Sequence, residues 1–172
     1  MGQRVVVFID GSNFYHGLRA NLGHTNINFQ KFSRFLVGDR EPIRTYYYNV
    51  VVDRTSDPER YKKQQRFFNA LQQLPQFHLT LGRLVQRGET WTEKGVDVQI
   101  AVDMLTMAFH NAYDVAILVS GDGDFAAAVE EVKRLGKVVE YAYFDRGRSR
   151  HLEQACDKFH LLNSEKLKKC SI

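Results

Sequence analysis

Three aspartates follow two short apolar runs that are far apart in the sequence. Asp10 follows the run 5–9, and Asp122 and Asp124 come just after the run 114–119. Glycines beside them permit tight turns in which several carboxylates can crowd together. An aspartate in such a position is as often a turn former or a helix N-cap as a functional acid, and Asp124 suits the N-cap role best. As a set, however, they predict an acidic site.

A fourth aspartate belongs to a helix predicted over 95–110. At about 100° per residue, the polar positions of this helix fall in one narrow arc, which holds Gln99, Asp103, Thr106 and His110. Asp97 falls on the apolar side, in the first turn, where an unpaired buried carboxylate is costly enough to require a partner. Because this helix end is predicted to lie nearest the strand ends, we expect Asp97 to join the acidic site. Asp103 is predicted to be a surface residue.

Four carboxylates in one cleft repel one another unless a cation neutralises them. Oxygen ligands select hard ions, so Mg²⁺ or Mn²⁺ is the expected occupant of a site formed by Asp10, Asp97, Asp122 and Asp124. Such an ion can activate a water and stabilise charge on a phosphoryl group under attack. The predicted chemistry is phosphodiester hydrolysis, with the carboxylates as ligands and one of them as a candidate base.

Two polar residues near these acids are candidates for substrate binding. Asn13 and Ser120 could hydrogen-bond a phosphate or a metal-bound water. Ser12 could do the same, but it fits better as the N-cap of the helix predicted over 12–22.

Basic residues are predicted to surround the acids. Arg146, Arg148 and Arg150 follow the last main strand, which places them at the acidic end of the sheet and within reach of phosphates. Lys94 precedes the helix of Asp97 and could meet a phosphate oxygen as a point charge. Trp91, in the preceding loop, either stacks on a base or packs within the loop.

Apolar strands alternate with helices along the chain, which predicts a mostly parallel sheet with helices on both faces. The strands are predicted at 5–9, 43–52, 78–85, 114–119, 137–144 and 159–162, and the helices at 12–22, 28–37, 58–74, 95–110, 125–135 and 149–156. The strand 78–85 is predicted at an edge, followed by a polar loop. Sites in such sheets form outside the carboxyl ends of the strands, where the strand order reverses. If 5–9 and 114–119 are neighbouring strands, the aspartates converge there.

No repeat and no Pro/Gly/Ser-rich linker divides the 172 residues, so one domain is expected over 1–163. The Lys-rich tail 164–172 is expected to fray.

Four segments together resemble the NYN-domain proteins of the LabA-like branch, within the PIN-domain nuclease superfamily. They are Phe8 to Asn13, Lys94 to Asp97, Ser120 to Phe125, and the ending that runs from Arg150-His151-Leu152 through Asp157-Lys158-Phe159. They occur in the family's order and span nearly the whole chain. The resemblance implies a single three-layer α/β domain with a PIN-like Rossmannoid fold and divalent-metal-dependent cleavage of RNA. It also implies a metal site on the four aspartates already selected, and Asn13 matches the family's asparagine after the first strand.

Composition excludes several other classes. The formal net charge is +4 and the sequence pI about 9.1, a mild basic excess that fits a polyanion partner without proving one. No apolar run approaches a membrane span, and the start does not have the pattern of a signal peptide. Two cysteines without CxxC spacing argue against a disulfide scaffold, and the six histidines show no zinc spacing. A cytoplasmic domain is therefore expected.

Two functions stay open at this point, and the oligomeric state, including a homodimer, is left undecided. One function is a metal-dependent ribonuclease, and the other is a noncatalytic RNA-binding or regulatory module that keeps the acidic pocket. A phosphohydrolase of the haloacid dehalogenase type is disfavoured, because Ser12 stands where its Asp-x-Asp motif needs the second aspartate. A response-regulator receiver needs a lysine in the region that Asp145 occupies.

Overall fold

Seven strands form one sheet in the computed structural model, which describes residues 2–172. The helices and strands follow one another as β1 (Arg4–Asp10), α1 (Gly11–Leu22), α2 (Phe29–Val37), β2 (Glu41–Val50), α3 (Pro58–Gln72), β3 (Phe77–Arg87), β4 (Thr90–Lys94), α4 (Val96–Phe109), β5 (Val115–Val119), α5 (Ala126–Arg134), β6 (Val138–Tyr143), α6 (Arg150–Ala155), β7 (Lys158–Leu161) and α7 (Ser164–Leu167). Short 3-10 turns occupy Gly123–Phe125 and Lys168–Cys170.

The strand order across the sheet is β4-β3-β2-β1-β5-β6-β7. Every neighbouring pair is parallel except β3 and β4, which are antiparallel. The chain builds outward from β1 to β3, adds β4 at that edge, and then returns to place β5 on the other side of β1. The predicted neighbourhood of the first strand and the strand at 114–119 is therefore confirmed, and the strand order reverses between β1 and β5.

Alternate side chains of β1 enter two separate cores, one on each face of the sheet. Val7 and Ile9 belong to the core that also takes Phe14 of α1, together with apolar residues of α2 and α3. Phe8 belongs to the opposite core, with Ile100 of α4 and apolar residues of α5 and α6. Because successive strand residues point to opposite faces, an unbroken apolar run is what a doubly covered strand requires. The predicted three-layer α/β architecture is confirmed.

Several helix starts follow from local sequence. Asn28 caps α2 by accepting from Lys31 N, and Asp57 caps α3 directly before Pro58, which needs no amide partner at that position. No helix within residues 2–172 has both the length and the apolar character needed to cross a membrane.

The prediction of a polar loop from residue 86 to Trp91 was wrong. Strand β3 continues to Arg87, turns at Gly88 with a φ of 63°, and pairs with β4, so that β4 and not β3 forms this edge of the sheet. Trp91 consequently lies on a strand rather than in a loop. All five residues of β4 are exposed, so the segment carries no alternation of apolar and polar side chains that would have indicated a strand.

The expected fraying of the C-terminal tail was also wrong. Leu167 and Cys170 are buried in the core beside α2, and Asn28 N donates to the carbonyl oxygen of Cys170 at 2.7 Å. The lysines between them remain exposed. The apolar residues of a Lys-rich segment thus complete one of the two cores.

Both cysteines are buried and neither forms a disulfide. Burial raises the pKa of the Cys156 thiol to about 12 and also raises the pKa of the Cys170 thiol. Cys170 is therefore a core residue and not the exposed thiol of a loose tail.

Candidate functional site

Asp10 joins the end of β1 to the start of α1 and is only 6% exposed. Its Oδ1 accepts from Asn13 N at 3.2 Å, and its Oδ2 accepts from Ser120 Oγ at 3.1 Å. Asp10 is thus the N-cap of α1, and the expectation that Ser12 plays this role was wrong. Because the helix begins directly after the strand, Ser12 already lies inside it.

The acidic side chains around Asp10 raise one another's pKa. Burial raises the pKa of Asp10 to about 6, with further contributions from the charges of Asp97 and Glu93, while the bonds from Asn13 and Ser120 oppose the rise. These shifts require the acids to lie within range of one another's charge.

Asp97 forms the second part of this acidic group. Desolvation raises the pKa of Asp97, as do the negative charges of Asp122, Asp124 and Glu93. The structure thus brings the four predicted aspartates to one edge of the sheet.

Asp97 does lie on the predicted face of α4, in line with the core residues Ile100 and Met104. It stands in the first turn, however, where it is exposed, so the expectation of a buried carboxylate was wrong. Asp103 also departs from its prediction as a surface residue. It is half-buried, accepting from Tyr48 Oη and from Gln99 Nε2 at 2.8 Å each. Asp103 therefore links α4 to strand β2 through the hydrogen bond from Tyr48.

The turn after β5 is held by its own side chains. Ser120 Oγ accepts from Asp122 N at 3.1 Å, and Asp122 Oδ1 accepts from Asp124 N at 2.9 Å. Asp122, and not Asp124, is therefore the residue that caps the 3-10 turn. Asn13 Oδ1 accepts from Gly121 N at 2.8 Å and joins this turn to α1. Asn13 and Ser120 thus position the acidic residues.

Close backbone packing explains one glycine of this turn. A Cβ atom at Gly121 would collide with the carbonyl oxygen of Gly147, in the loop between β6 and α6. Gly147 itself has a φ of 102°. The loops that follow β5 and β6 can approach this closely only with these small residues.

Glu93 is a fifth acid, which the sequence did not indicate. It lies on β4, where its Oε1 accepts from Ser12 Oγ at 3.2 Å, and its charge raises the pKa of both Asp10 and Asp97. Only the antiparallel pairing of β4 with β3 brings it here. Within residues 2–172, none of the five acids forms an ion pair with a lysine or arginine.

The predicted basic residues are all exposed, on two sides of the acids. Lys94 ends β4, while Arg146, Arg148 and Arg150 lie in the loop after β6 and at the start of α6. Arg148 pairs with Glu153 at 3.2 Å, and Arg146 donates to the carbonyl oxygen of Ala20 at 3.2 Å.

Asn21 of α1 holds the loop that carries these arginines. Its Oδ1 accepts from Arg146 N at 3.0 Å, and its Nδ2 donates to the carbonyl oxygen of the same residue at 3.2 Å. This loop also borders a cavity of about 290 Å³ whose lining includes Asn13, Ser120, Phe144 and Arg146. The cavity lies between α1 and the ends of β5 and β6, and Ser120 in its lining donates to the buried carboxylate of Asp10.

The carboxylates fit a hard divalent cation by their chemistry, because oxygen ligands suit such ions and the group lacks a positive partner. Their spacing is wider than an occupied site requires. Across residues 2–172, no three His, Cys, Asp or Glu side chains lie close enough together to hold a metal ion.

The fold and site define a doubly wound α/β protein, a class whose ligands bind outside the carboxyl ends of the strands, at the reversal of strand order where these acids lie. The chain belongs to the NYN domain family, whose model matches residues 4–163. This family is part of the PIN-like nuclease superfamily, in agreement with the predicted Rossmannoid fold.

Comparison with solved structures gives the same fold. A protein of unknown function from Vibrio parahaemolyticus is 26% identical, with a TM-score of 0.78 over 95% of each chain. A putative oxidoreductase from Parabacteroides merdae is 13% identical over 94% of this chain and 31% of its own, with a TM-score of 0.35, too loose a likeness to bear on the fold. No curated protein matches the chain.

Proposed function

We propose that this protein is a divalent-metal-dependent ribonuclease that hydrolyses RNA phosphodiester bonds. The observation that carries the proposal is the set of uncompensated carboxylates where β1 and β5 end, in a chain of the NYN family. A cation is the simplest partner for acids whose charges raise one another's pKa. Mg²⁺ or Mn²⁺ suits their oxygen ligands, and the ligands we propose are Asp10, Asp97, Asp122 and Asp124.

A bound divalent ion would activate a water and stabilise charge on the phosphoryl group. The protein's own residues prepare the site for this chemistry. Ser120 orients Asp10 and the backbone of Asp122 at the same time, and Asn13 holds the turn between them. Without a cation the pKa of Asp10 is about 6, and a bound divalent ion would lower it and keep the carboxylate ionised as a ligand.

Substrate contacts are proposed for the residues that border the acids. Asn13 and Ser120 lie nearest, and the Asn13 amide retains its NH₂ group for a phosphate oxygen because its Oδ1 is occupied by Gly121 N. Lys94 and the three arginines of the β6–α6 region would contact the RNA backbone, Lys94 as a point charge and the arginines through their forked guanidinium groups.

The test is cleavage of a panel of RNAs and DNAs with Mn²⁺, Mg²⁺ or chelator. We expect RNA cleavage that requires the metal and that is lost in Asp10→Asn and Asp122→Asn, because each substitution removes a ligand charge. Asp39→Asn is the matched control, since Asp39 is an exposed acid between α2 and β2, at the opposite end of the strands. RNA that stays intact with every metal, or cleavage that survives both site substitutions, contradicts the proposal.

A second candidate is a noncatalytic RNA-binding or regulatory module that retains the acidic pocket. It is favoured by the spacing of the acids, no three of which are near enough to hold a metal within residues 2–172. Under this alternative the purified protein binds RNA, and Mn²⁺ produces no cleavage of any substrate.

Two finer assignments accompany the proposal. Membership of the LabA-like branch is proposed on the motifs that include Phe8 to Asn13 and Ser120 to Phe125. A reducing cytoplasmic setting is proposed because both cysteines are present as free thiols.

A further inference from the structure

The hairpin of β3 and β4 carries side chains on two distinct faces. Leu84 pairs with Glu93 and Gln86 pairs with Trp91 across the two strands. Residues directly opposite one another in an antiparallel pair point to the same face, and alternate residues along a strand also share a face. Trp91 and Glu93 therefore lie on one face of the hairpin.

This face continues into the acidic site. Glu93 accepts from Ser12, which is two residues beyond Asp10 on the first turn of α1. Trp91 is two residues from Glu93 on the same strand, roughly 7 Å further out. A chain of nucleotides whose phosphate lies at the acids can therefore reach Trp91 with a neighbouring nucleotide.

The indole of Trp91 is available for stacking. The residue is 42% exposed, and no other aromatic ring or cation contacts the indole within the part of the chain that the structure describes. A large, rigid aromatic group left partly in water costs free energy that a partner ring would recover.

The other face of the hairpin is positively charged. Arg83 lies directly opposite Lys94, and Arg87 is further along β3 on the same face. Like charges in directly opposed positions destabilise a strand pair. None of the three cations forms an ion pair within residues 2–172. Since β4 is the edge of the sheet, a polyanion along this edge meets both the cations and the indole.

We propose that the β3–β4 hairpin binds single-stranded RNA at the edge of the sheet, with Trp91 stacked on a base of the strand that enters the acidic site. The inference rests on the proposed function for the identity of the nucleic acid. A single strand is required because the bases of a duplex have both faces covered by their neighbours, whereas an unpaired base can stack on an aromatic side chain.

Trp91 is the sole tryptophan among the 172 residues, so intrinsic fluorescence reports directly on this site. The experiment titrates the wild-type protein with a single-stranded oligoribonucleotide in chelator, which prevents metal-dependent cleavage. Stacking predicts quenching of the Trp91 emission that saturates with RNA. A duplex of the same sequence is predicted to cause little quenching at the same concentration.

Variants test the contribution of the indole to affinity, measured by the anisotropy of fluorescein-labelled RNA. We expect Trp91→Ala to weaken binding by about tenfold, within the range found for base–aromatic stacking, and Trp91→Phe to recover part of the loss. Phe109→Ala is the matched control. Phe109 is an exposed aromatic at the far end of α4 from Asp97, and its removal should leave affinity unchanged.

The outcomes separate this inference from the proposed function. RNA that binds by anisotropy without quenching Trp91, or that binds Trp91→Ala as tightly as wild type, overturns the inference even if the protein cleaves RNA. Equal quenching by the duplex overturns the single-strand assignment, and a preference for single-stranded DNA overturns the assignment to RNA. Quenching by single-stranded RNA in a protein that never cleaves supports the inference while contradicting the nuclease proposal.

Discussion

At the scale of single residues, Asp10 combines two roles that both favour its negative charge with a buried position that disfavours it. As an N-cap it must remain beside the first turn of α1, and as a candidate ligand it must keep a negative charge although it is almost fully buried. Two hydrogen bonds stabilise the charge, but burial outweighs them and leaves the pKa near 6. The metal-free protein therefore loses stability by keeping this carboxylate ionised.

Replacement of Asp10 should reveal that cost as a pH dependence. The pKa of Asp10 is about 6 in the folded protein and 3.8 as an ordinary value, so the folded state holds the proton more tightly. The stabilisation is fully present below pH 3.8 and is lost as the pH rises through 6. Between about pH 4 and pH 7.5, Asp10→Asn should gain about 2 kcal/mol in free energy of unfolding relative to wild type. Urea melts in chelator measure the change.

Asp114 provides the control for this measurement. The hydrogen bonds from Arg4 hold the pKa of Asp114 at about 2, so its stabilisation is present above the ordinary value and is lost only as the pH falls through 2. The effect of Asp114→Asn should therefore change little over the same pH range. A stability difference between Asp10→Asn and wild type that is independent of pH contradicts the prediction.

The residues of the site could be predicted from the sequence only where a buried strand ends in a turn. Asp10 and Asp122 were found in this way, because parallel strands deliver their ends to one edge. Asp97 was assigned to the correct face of the helix but was wrongly expected to be buried, since a helical projection does not show whether the first turn is covered. Glu93 was missed because its position depends on strand pairing, which leaves no local pattern.

At the scale of elements, α4 determines where Asp97 stands. Its inner residues pack on the sheet, and Asp103 adds a hydrogen bond from Tyr48 of β2, whose ring is fully buried. This bond crosses between a helix and a strand far apart in sequence. It therefore restrains the rotation of α4 about its own axis as well as its distance from the sheet.

Tyr48→Phe should lower the free energy of unfolding by about 2 kcal/mol, because a hydrogen bond to a charged acceptor is lost while the ring remains packed. Chemical denaturation at neutral pH measures the change. Tyr46→Phe is the matched control, since Tyr46 lies on the same face of β2 and its hydroxyl has no hydrogen-bond partner within residues 2–172. Equal losses for the two variants would show that the Tyr48–Asp103 bond contributes nothing specific.

The order of helices and parallel strands could be predicted because each carries a strong local signal. Buried strands such as β5 are continuous apolar runs, and α3 begins with a capping residue and proline. The β3–β4 hairpin could not be predicted, because the exposed edge strand has no apolar face and is fixed by backbone pairing alone.

At the scale of the whole molecule, the two cores are completed by different parts of the chain. The core that contains Phe14 is closed by Leu167 and Cys170, which lie beyond the residues matched by the NYN family. We retain 1–163 as the proposed extent of the family domain. Its stability is expected to depend on the segment that follows.

Deletion of residues 164–172 should lower the free energy of unfolding by about 3 kcal/mol, since it exposes apolar core surface and removes the acceptor of the Asn28 amide. Urea unfolding of the full chain and of the truncated chain measures the loss. Lys168→Ala combined with Lys169→Ala is the control, because both side chains are exposed. A truncated protein as stable as the full chain would establish residues 1–163 as self-sufficient.

Because both cysteines of the chain are buried, a cysteine introduced at the surface can be labelled selectively. Thiol reagents are attacked by exposed thiolates, and burial disfavours the thiolate form of Cys156 and Cys170. A cysteine placed at Asp145, in the exposed loop after β6, would accept a fluorophore without competition. With Trp91 as donor on the opposite side of the acids, energy transfer then measures the width of the cleft as metal and RNA are added.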